Sequence, residues 1–299
     1  MRLHARRRAI LAAGLAAVVM PVCGVTTIRE AANASRQQHM SAVEIDTADP
    51  ELTLAWNDEF DDEAGAPPDP SKWVYDTGGE PQWGNQEWEY YTSRPENVSQ
   101  NGDGSLAIVA RRETLPGMSP CPYGTCDITS GRITTRGKFS QTYGRWEARI
   151  KVPEGQGMWP AFWMMGDTDE GWPDCGEVDI MEIVNKNPGT VEGTLWGPDF
   201  PENGFGSDYT LPNHARFSSD YHVFAIDWTP DKIAWSVDGE VYFSHDRSQM
   251  SAHQWVFDNP FYGLLNLAVG GEMPGAPDAT TKFPATMLVD YVHVYAPAP

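Results

Sequence analysis

The chain has 299 residues, enough for one large β domain or two small ones. Its 12 Trp, 11 Tyr and 11 Phe make it aromatic-rich, and 28 Gly with 24 Pro supply many turns. A formal charge of −21 removes the basic footprint of a nucleic-acid binder and would repel anionic polysaccharides or an acidic membrane, while leaving a neutral polymer as partner.

Residues 1–34 read as an export signal. Arg2, Arg6, Arg7 and Arg8 form a basic head, and the apolar run Ala9 to Val19 is too short to span a bilayer comfortably. Arg7-Arg8 resembles a twin-arginine signal, and Ala32-Asn33-Ala34 is a cleavage candidate. Cys23 raises a lipoprotein, but Met20-Pro21-Val22 matches a lipid-attachment box poorly. Residues 35–50 are polar and patternless, a linker; residues 51–299 are one domain with no internal repeat.

Short alternating runs between turn residues, without long helical periodicity, predict an all-β sandwich. Strands are expected at Leu52 to Trp56, Ser105 to Arg111, Ser130 to Thr135 and Gly144 to Val152. Trp83 to Tyr91 is dense in aromatics and amides, which suits sugar stacking and equally a core edge. Cys121 and Cys126 are spaced to close a small loop in an oxidising compartment; Cys175 is the odd one, a buried thiol. Met158 to Met165 is nearly all apolar, either a buried strand or the floor of a cleft. Glu192 to Trp196 continues the pattern, followed by a Gly, Pro, Asn and Asp loop to residue 213. Later strands are expected at Tyr221 to Trp228, Ile233 to Gly239, Phe261 to Val269 and Met287 to Tyr295.

One stretch carries chemistry. Glu177-Val178-Asp179-Ile180-Met181-Glu182 alternates acid and aliphatic, then slips by one residue. A regular strand would turn Glu182 into the apolar face, at a cost of several kcal/mol. A β-bulge near Ile180–Met181 returns it to the side of Glu177 and Asp179 and buries Met181. Glu177 and Glu182 are then about four strand steps apart, roughly 13 Å between Cα atoms at ~3.3 Å per step. Inclined side chains bring their carboxyl groups near the ~5–5.5 Å of a retaining glycosidase. A solvated acidic strand face competes with this reading. An EF-hand beginning at Asp167 fails because its twelfth position is Val178, and no His or Cys joins the acids at transition-metal spacing.

The chain resembles glycoside hydrolase family 16 in its laminarinase-like branch, whose E-x-D-x-x-E signature is Glu177-Val178-Asp179-Ile180-Met181-Glu182. Further matching blocks are Trp83 to Glu87, Ser130-Gly131-Arg132, Gly155 to Trp163, Trp228 to Asp231 and Val289 to Tyr295. The resemblance implies a concanavalin A-like jelly-roll β-sandwich with a concave cleft, and a secreted, monomeric endo-β-1,3-glucanase acting on a neutral β-glucan. It implies Glu177 as nucleophile, Glu182 as general acid/base and Asp179 as helper. It places Asn97, Arg132, Trp159 and Trp163 along the donor subsites, with Trp172 and Trp196 added to the substrate-binding set. No catalytic cofactor is implied; a structural calcium is, on Glu59, the Gly104 carbonyl and Asp290. Gly193-Thr194-Leu195-Trp196 departs from the Gly-Thr-x-His block of many laminarinases, so a bulky stacking ring is expected on the acceptor side. Glu272-Met273 stands where Asn-Trp is common. Mixed-linked glucan or galactan hydrolysis, transglycosylation, and a non-catalytic glucan-binding role are the alternatives; the last loses weight because both glutamates are present.

Overall fold

The computed structural model describes residues 52–298 apart from Gln82, Pro122 and Asn185. The export signal over 1–34, Cys23 and the linker 35–50 lie outside the described residues. Among the described residues there is no α-helix; strands build two large sheets around one apolar core. The first sheet runs Glu240–Asp246, Lys232–Val237, His222–Thr229, Gly144–Lys151, Ala285–Pro297, Leu106–Arg112, Ile128–Ser130 and Tyr90–Tyr91. Leu52–Asp58 and Val98–Gln100 join it at Ala285–Pro297 and Leu106–Arg112. The second sheet runs Phe205–Thr210, Thr190–Trp196, Glu177–Glu182, Met158–Gly166, Phe261–Val269, Arg132–Thr134 and Val74–Tyr75.

The period-two pattern decides which side chains enter the core. Phe162, Met164, Val178, Leu265 and Leu267 of the second sheet meet Trp146, Ile226, Trp228 and Trp235 of the first, all at most 2% exposed. Each such side chain contributes about 1.5–3 kcal/mol by leaving water. The alternate residues of Met158–Gly166, namely Trp159, Ala161, Trp163 and Met165, therefore point away from the core. The apolar run is thus a strand with one face in the core and the other on the outward surface of the second sheet.

Three elements differ from the sequence expectation. Ser130 to Thr135 is not one strand: Ile128–Ser130 belongs to the first sheet and Arg132–Thr134 to the second. Gly131 makes the crossing, where a Cβ would collide with Val98 and the Asn97 carbonyl. The loop expected before residue 213 contains the edge strand Phe205–Thr210, held by its pairing with Thr190–Trp196 rather than by its Gly, Ser and Asp residues. Glu240–Asp246 forms a hairpin with Lys232–Val237 through Asp238-Gly239, both at positive φ, the conformation that a two-residue Asp-Gly turn takes.

Candidate active site

The bulge is present. Glu177 pairs with Met165 and Glu182 with Ala161 on one side, and with Trp196 and Glu192 on the other. Both neighbouring strands advance four residues while the acidic strand advances five, so one residue is absorbed. Ile180 and Met181 are both buried in the core, at 2% and 0% exposure, which returns Glu182 to the outward face. The bulge is anchored from the opposite sheet, where the buried Trp235 indole donates to the Asp179 carbonyl at 2.7 Å. Gly193 on the adjoining strand makes room for it; a Cβ there would strike the Trp235 ring and the Tyr242 hydroxyl.

Register then arranges the outward side chains in rows across the sheet. Arg132, Asn266, Ala161, Glu182, Glu192 and Asp208 are successive cross-strand partners. Leu264, Trp163, Asp179 and Thr194 form the next row, and Tyr262, Met165, Glu177 and Trp196 the third. Glu177 and Glu182 flank the row of Asp179, on one face and with no cation between them in register.

Each of the three acids receives an indole. Trp172 Nε1 donates to Glu177 Oε2 at 2.5 Å, Trp196 Nε1 to Asp179 Oδ2 at 3.0 Å, and Trp159 Nε1 to Glu182 Oε1 at 2.9 Å. An indole only donates and never titrates, so it orients a carboxyl group without competing for its proton. Burial pushes Glu177 up to about 7, against the hydrogen bonds from Trp172 and Asp179 and the nearby Arg132 charge. Burial, then the Glu177 charge, pushes Glu182 up to about 8. Asp179 is held well above the carboxylate range by burial and by the charges of Glu182 and Glu177. It keeps its proton and donates it in a hydrogen bond to Glu177. The Glu177 charge is among the causes that raise Glu182, so an ionised Glu177 favours a protonated Glu182.

On the Phe261–Val269 side, Arg132 lies between two rings, its guanidinium carbon 4.4 Å from the Trp83 centroid and 4.9 Å from that of Trp163. Its Nε donates to Asp76 at 3.0 Å. Beyond Glu182 on the opposite side, a pocket of about 200 Å³ is lined by Glu182, Lys186, Glu192, Asp208, Glu272 and Met273 among others.

Trp159, Trp163, Trp172, Trp196 and Arg132 thus all adjoin the three acids. Asn97 does not. It is 0% exposed, its amide donates to the Val109 carbonyl and Thr129 Oγ1, and its oxygen accepts from Thr92. That side chain braces the first sheet and is withdrawn from the substrate-binding set. Trp196 also differs from expectation, because its N–H serves Asp179 while its ring lies 6.2 Å from that of the 58% exposed Trp172.

Cys121 and Cys126 are disulfide-bonded, with their Cα atoms 5.0 Å apart, and Cys175 is a buried free thiol. Glu59 pairs with His293 at 2.7 Å and Asp290 with Arg149 at 2.7 Å. These oxygens are of the hard type that calcium takes, though each carboxylate already faces a basic side chain. Among the described residues, no group of three or more His, Cys, Asp and Glu could hold a metal ion.

Sequence reasoning missed Asn266 and Glu192. A lone amide inside the otherwise apolar Phe261–Val269 was the available signal for Asn266. Glu192 gave none, because its place opposite Glu182 depends on the bulge.

The family model for glycosyl hydrolases family 16 matches residues 85–293. The chain belongs to that family and is a glycoside hydrolase. It is 43% identical over 259 residues to a beta-glucanase of Rhodothermus marinus, covering 82% of this chain and 86% of the relative. It is 39% identical to glucan endo-1,3-beta-glucosidase A1 of Niallia circulans, across 82% of this chain but only 38% of that longer protein. Among solved structures, endo-beta-1,3-glucanase of Pyrococcus furiosus superposes with a TM-score of 0.77 at 45% identity, covering 85% of this chain and 97% of the other. The jelly-roll expectation agrees with the two-sheet fold and with these relatives.

Proposed function

We propose that this glycoside hydrolase cleaves internal β-1,3-glucosidic bonds of laminarin-type glucans with retention of configuration. The observation that carries the reading is the bulge, since it puts two glutamates on one outward face, four register steps apart. In the first displacement, ionised Glu177 attacks the anomeric carbon and protonated Glu182 gives its proton to the leaving oxygen. Asp179 holds Glu177 by a donated hydrogen bond throughout. Once Glu177 is esterified its charge is gone, which leaves burial but removes the next cause holding Glu182 protonated. Glu182 then takes a proton from water as the water oxygen bonds the anomeric carbon and the ester bond to Glu177 breaks, freeing the carboxylate. The β-1,3 linkage rests on the named activities of the relatives, and the Trp163 and Arg132 platform supports binding of sugar rings on the donor side.

Proton NMR of the first product decides the mechanism. A β-anomer is expected, and an initial α-anomer from a β-glucan would exclude the covalent route. Product chromatography on laminarin, lichenan and agarose tests the linkage. Export by the N-terminal signal is part of the same proposal, checked by N-terminal sequencing of protein recovered from culture medium. A structural calcium on Glu59, the Gly104 carbonyl and Asp290 is also proposed; it would raise the melting temperature by mass action. Asp290→Ala should abolish that response, whereas an equal response in both proteins would remove the assignment.

A further inference from the structure

Beneath the outward face runs a line of buried polar groups that the displacement steps do not use. Trp163 Nε1 donates to Asn266 Oδ1 at 2.7 Å, and Asn266 Nδ2 donates to the Tyr91 hydroxyl at 3.2 Å. Tyr91 donates to Glu87 Oε2 at 3.0 Å, and Asn85 Nδ2 to Glu87 Oε1 at 3.0 Å. Asn266, Tyr91 and Glu87 are 6%, 0% and 4% exposed.

Hydrogen-bond chemistry gives this line one direction. An indole can only donate, so Asn266 must turn its oxygen to Trp163 and its NH₂ to Tyr91. Tyr91 has one proton, and with Asn266 donating to its oxygen, that proton goes on to Glu87. Glu87 therefore accepts on both oxygens, which a carboxylate does and an amide cannot. Glu89 supports this arrangement. It is wholly buried and accepts the Val269 N–H at 2.6 Å, and burial, then the Glu87 charge, hold its carboxyl well above the usual range, which favours its neutral form beside the Glu87 carboxylate.

We propose that Glu87 is a positioning residue for the donor side of the reaction: by ending the line of donors it fixes the Asn266 amide, the plane of the Trp163 ring and the Arg132 guanidinium against it. The proposal rests on the reading of Trp163 and Arg132 as the donor platform. Glu87→Gln is nearly the same size but carries one acceptor and one donor: aimed at Tyr91 its NH₂ sets donor against donor in a buried place, and aimed at Asn85 it requires that exposed amide to turn over. Tyr91→Phe keeps the ring that packs edge-on to Trp83 and deletes only the hydroxyl.

The experiment measures kcat and KM on β-1,3-gluco-oligosaccharides, with melting temperature as the control for folding. Glu87→Gln and Tyr91→Phe are each expected to raise KM about tenfold with a smaller change in kcat, the scale of one misplaced contact in binding. The decisive variant is Glu87→Gln combined with Asn266→Asp. Asp at 266 accepts from both Trp163 and Tyr91, and Gln at 87 then donates to Tyr91 and accepts from Asn85, so the line is consistent again with its polarity reversed. Recovery of KM to within about threefold of wild type, well short of the product of the single effects, is expected. A folded Glu87→Gln with unchanged KM overturns the proposal, as does a double variant no better than the product of the singles. Should Glu87→Gln not fold, an unchanged KM in Tyr91→Phe overturns it equally. Trp163→Ala separates the two levels: an unchanged KM there sinks the donor-platform reading, whereas a raised KM there with an unchanged KM in Glu87→Gln sinks only the positioning role.

Discussion

The two ends of the row from Arg132 to Asp208 are built differently. At the Arg132 end, the guanidinium is paired with Asp76 and held between two indoles, and the Asn266 beside it is bonded on both sides. At the Asp208 end, Glu192 and Asp208 are cross-strand neighbours that both line a pocket carrying one lysine, and burial together with the Asp208 charge raises Glu192. One end is preorganised by opposite charges and directional bonds; the other is an open acidic recess on an edge strand. The contrast suits an enzyme that must hold the sugar undergoing displacement while letting a leaving chain depart. Order costs least where it is set before substrate arrives.

The most damaging change should be one that separates the two ends. Glu182→Ala removes the carboxyl group that the bulge brings to the outward face, so kcat should fall by about 10³-fold or more, a loss that includes general acid/base catalysis. Near-normal turnover in that variant would refute the role given to Glu182. Next in size is Arg132→Met, which strands Asp76 and loses both ring contacts. It should lower kcat/KM by about 10- to 100-fold, whereas Glu192→Gln at the other end should stay within about fivefold, the scale of exposed polar contacts. Equal losses from the two would break the comparison, and steady-state kinetics on one glucan decides it.

Titration sharpens the same contrast. With Glu177 at about 7 and Glu182 at about 8, kcat/KM should follow a narrow bell between them. Glu192→Gln should move only the alkaline limb, downward, because its charge raises Glu182. Stability carries the matching sign. Glu182 holds its proton to about 8 in the fold against 4.5 for the ordinary group, so the folded state binds more protons in that window and stability falls as pH rises through it. Glu182→Gln should therefore melt higher than wild type above pH 8, by about 2–8 °C for ~1–2 kcal/mol in a domain of this size, and should lose that advantage in acid. Calorimetry at two pH values tests this.

The smallest effect is expected at the disulfide. Its loop is short, so opening it by Cys121→Ser and Cys126→Ser should cost about 2 kcal/mol. The hairpin packs Tyr123 against Trp88 at 4.1 Å, and Trp88 in turn bonds Val269, so the loosening belongs to the donor side. KM should rise modestly while the response to Glu192→Gln stays as in wild type; double-variant kinetics checks that independence.

The residue order alone determined the sandwich, the acidic strand and its bulge. These depend on local alternation, and a glutamate out of phase in an apolar register has one inexpensive remedy. Tertiary structure decided what each side chain meets. Nothing local to Ser130-Gly131-Arg132 says that the chain changes sheets there, since the reason is the space that Val98 and the Asn97 carbonyl deny to a Cβ. The family resemblance put Asn97 on the donor side, but its partners Thr92, Val109 and Thr129 come from three separate segments that only folding brings together. The same holds for Trp196, whose N–H finds Asp179 across a strand pair, and for Glu87, joined to Trp163 through residues 91 and 266. Periodicity is written in neighbours along the chain, whereas hydrogen-bond direction and charge proximity depend on partners far apart in it.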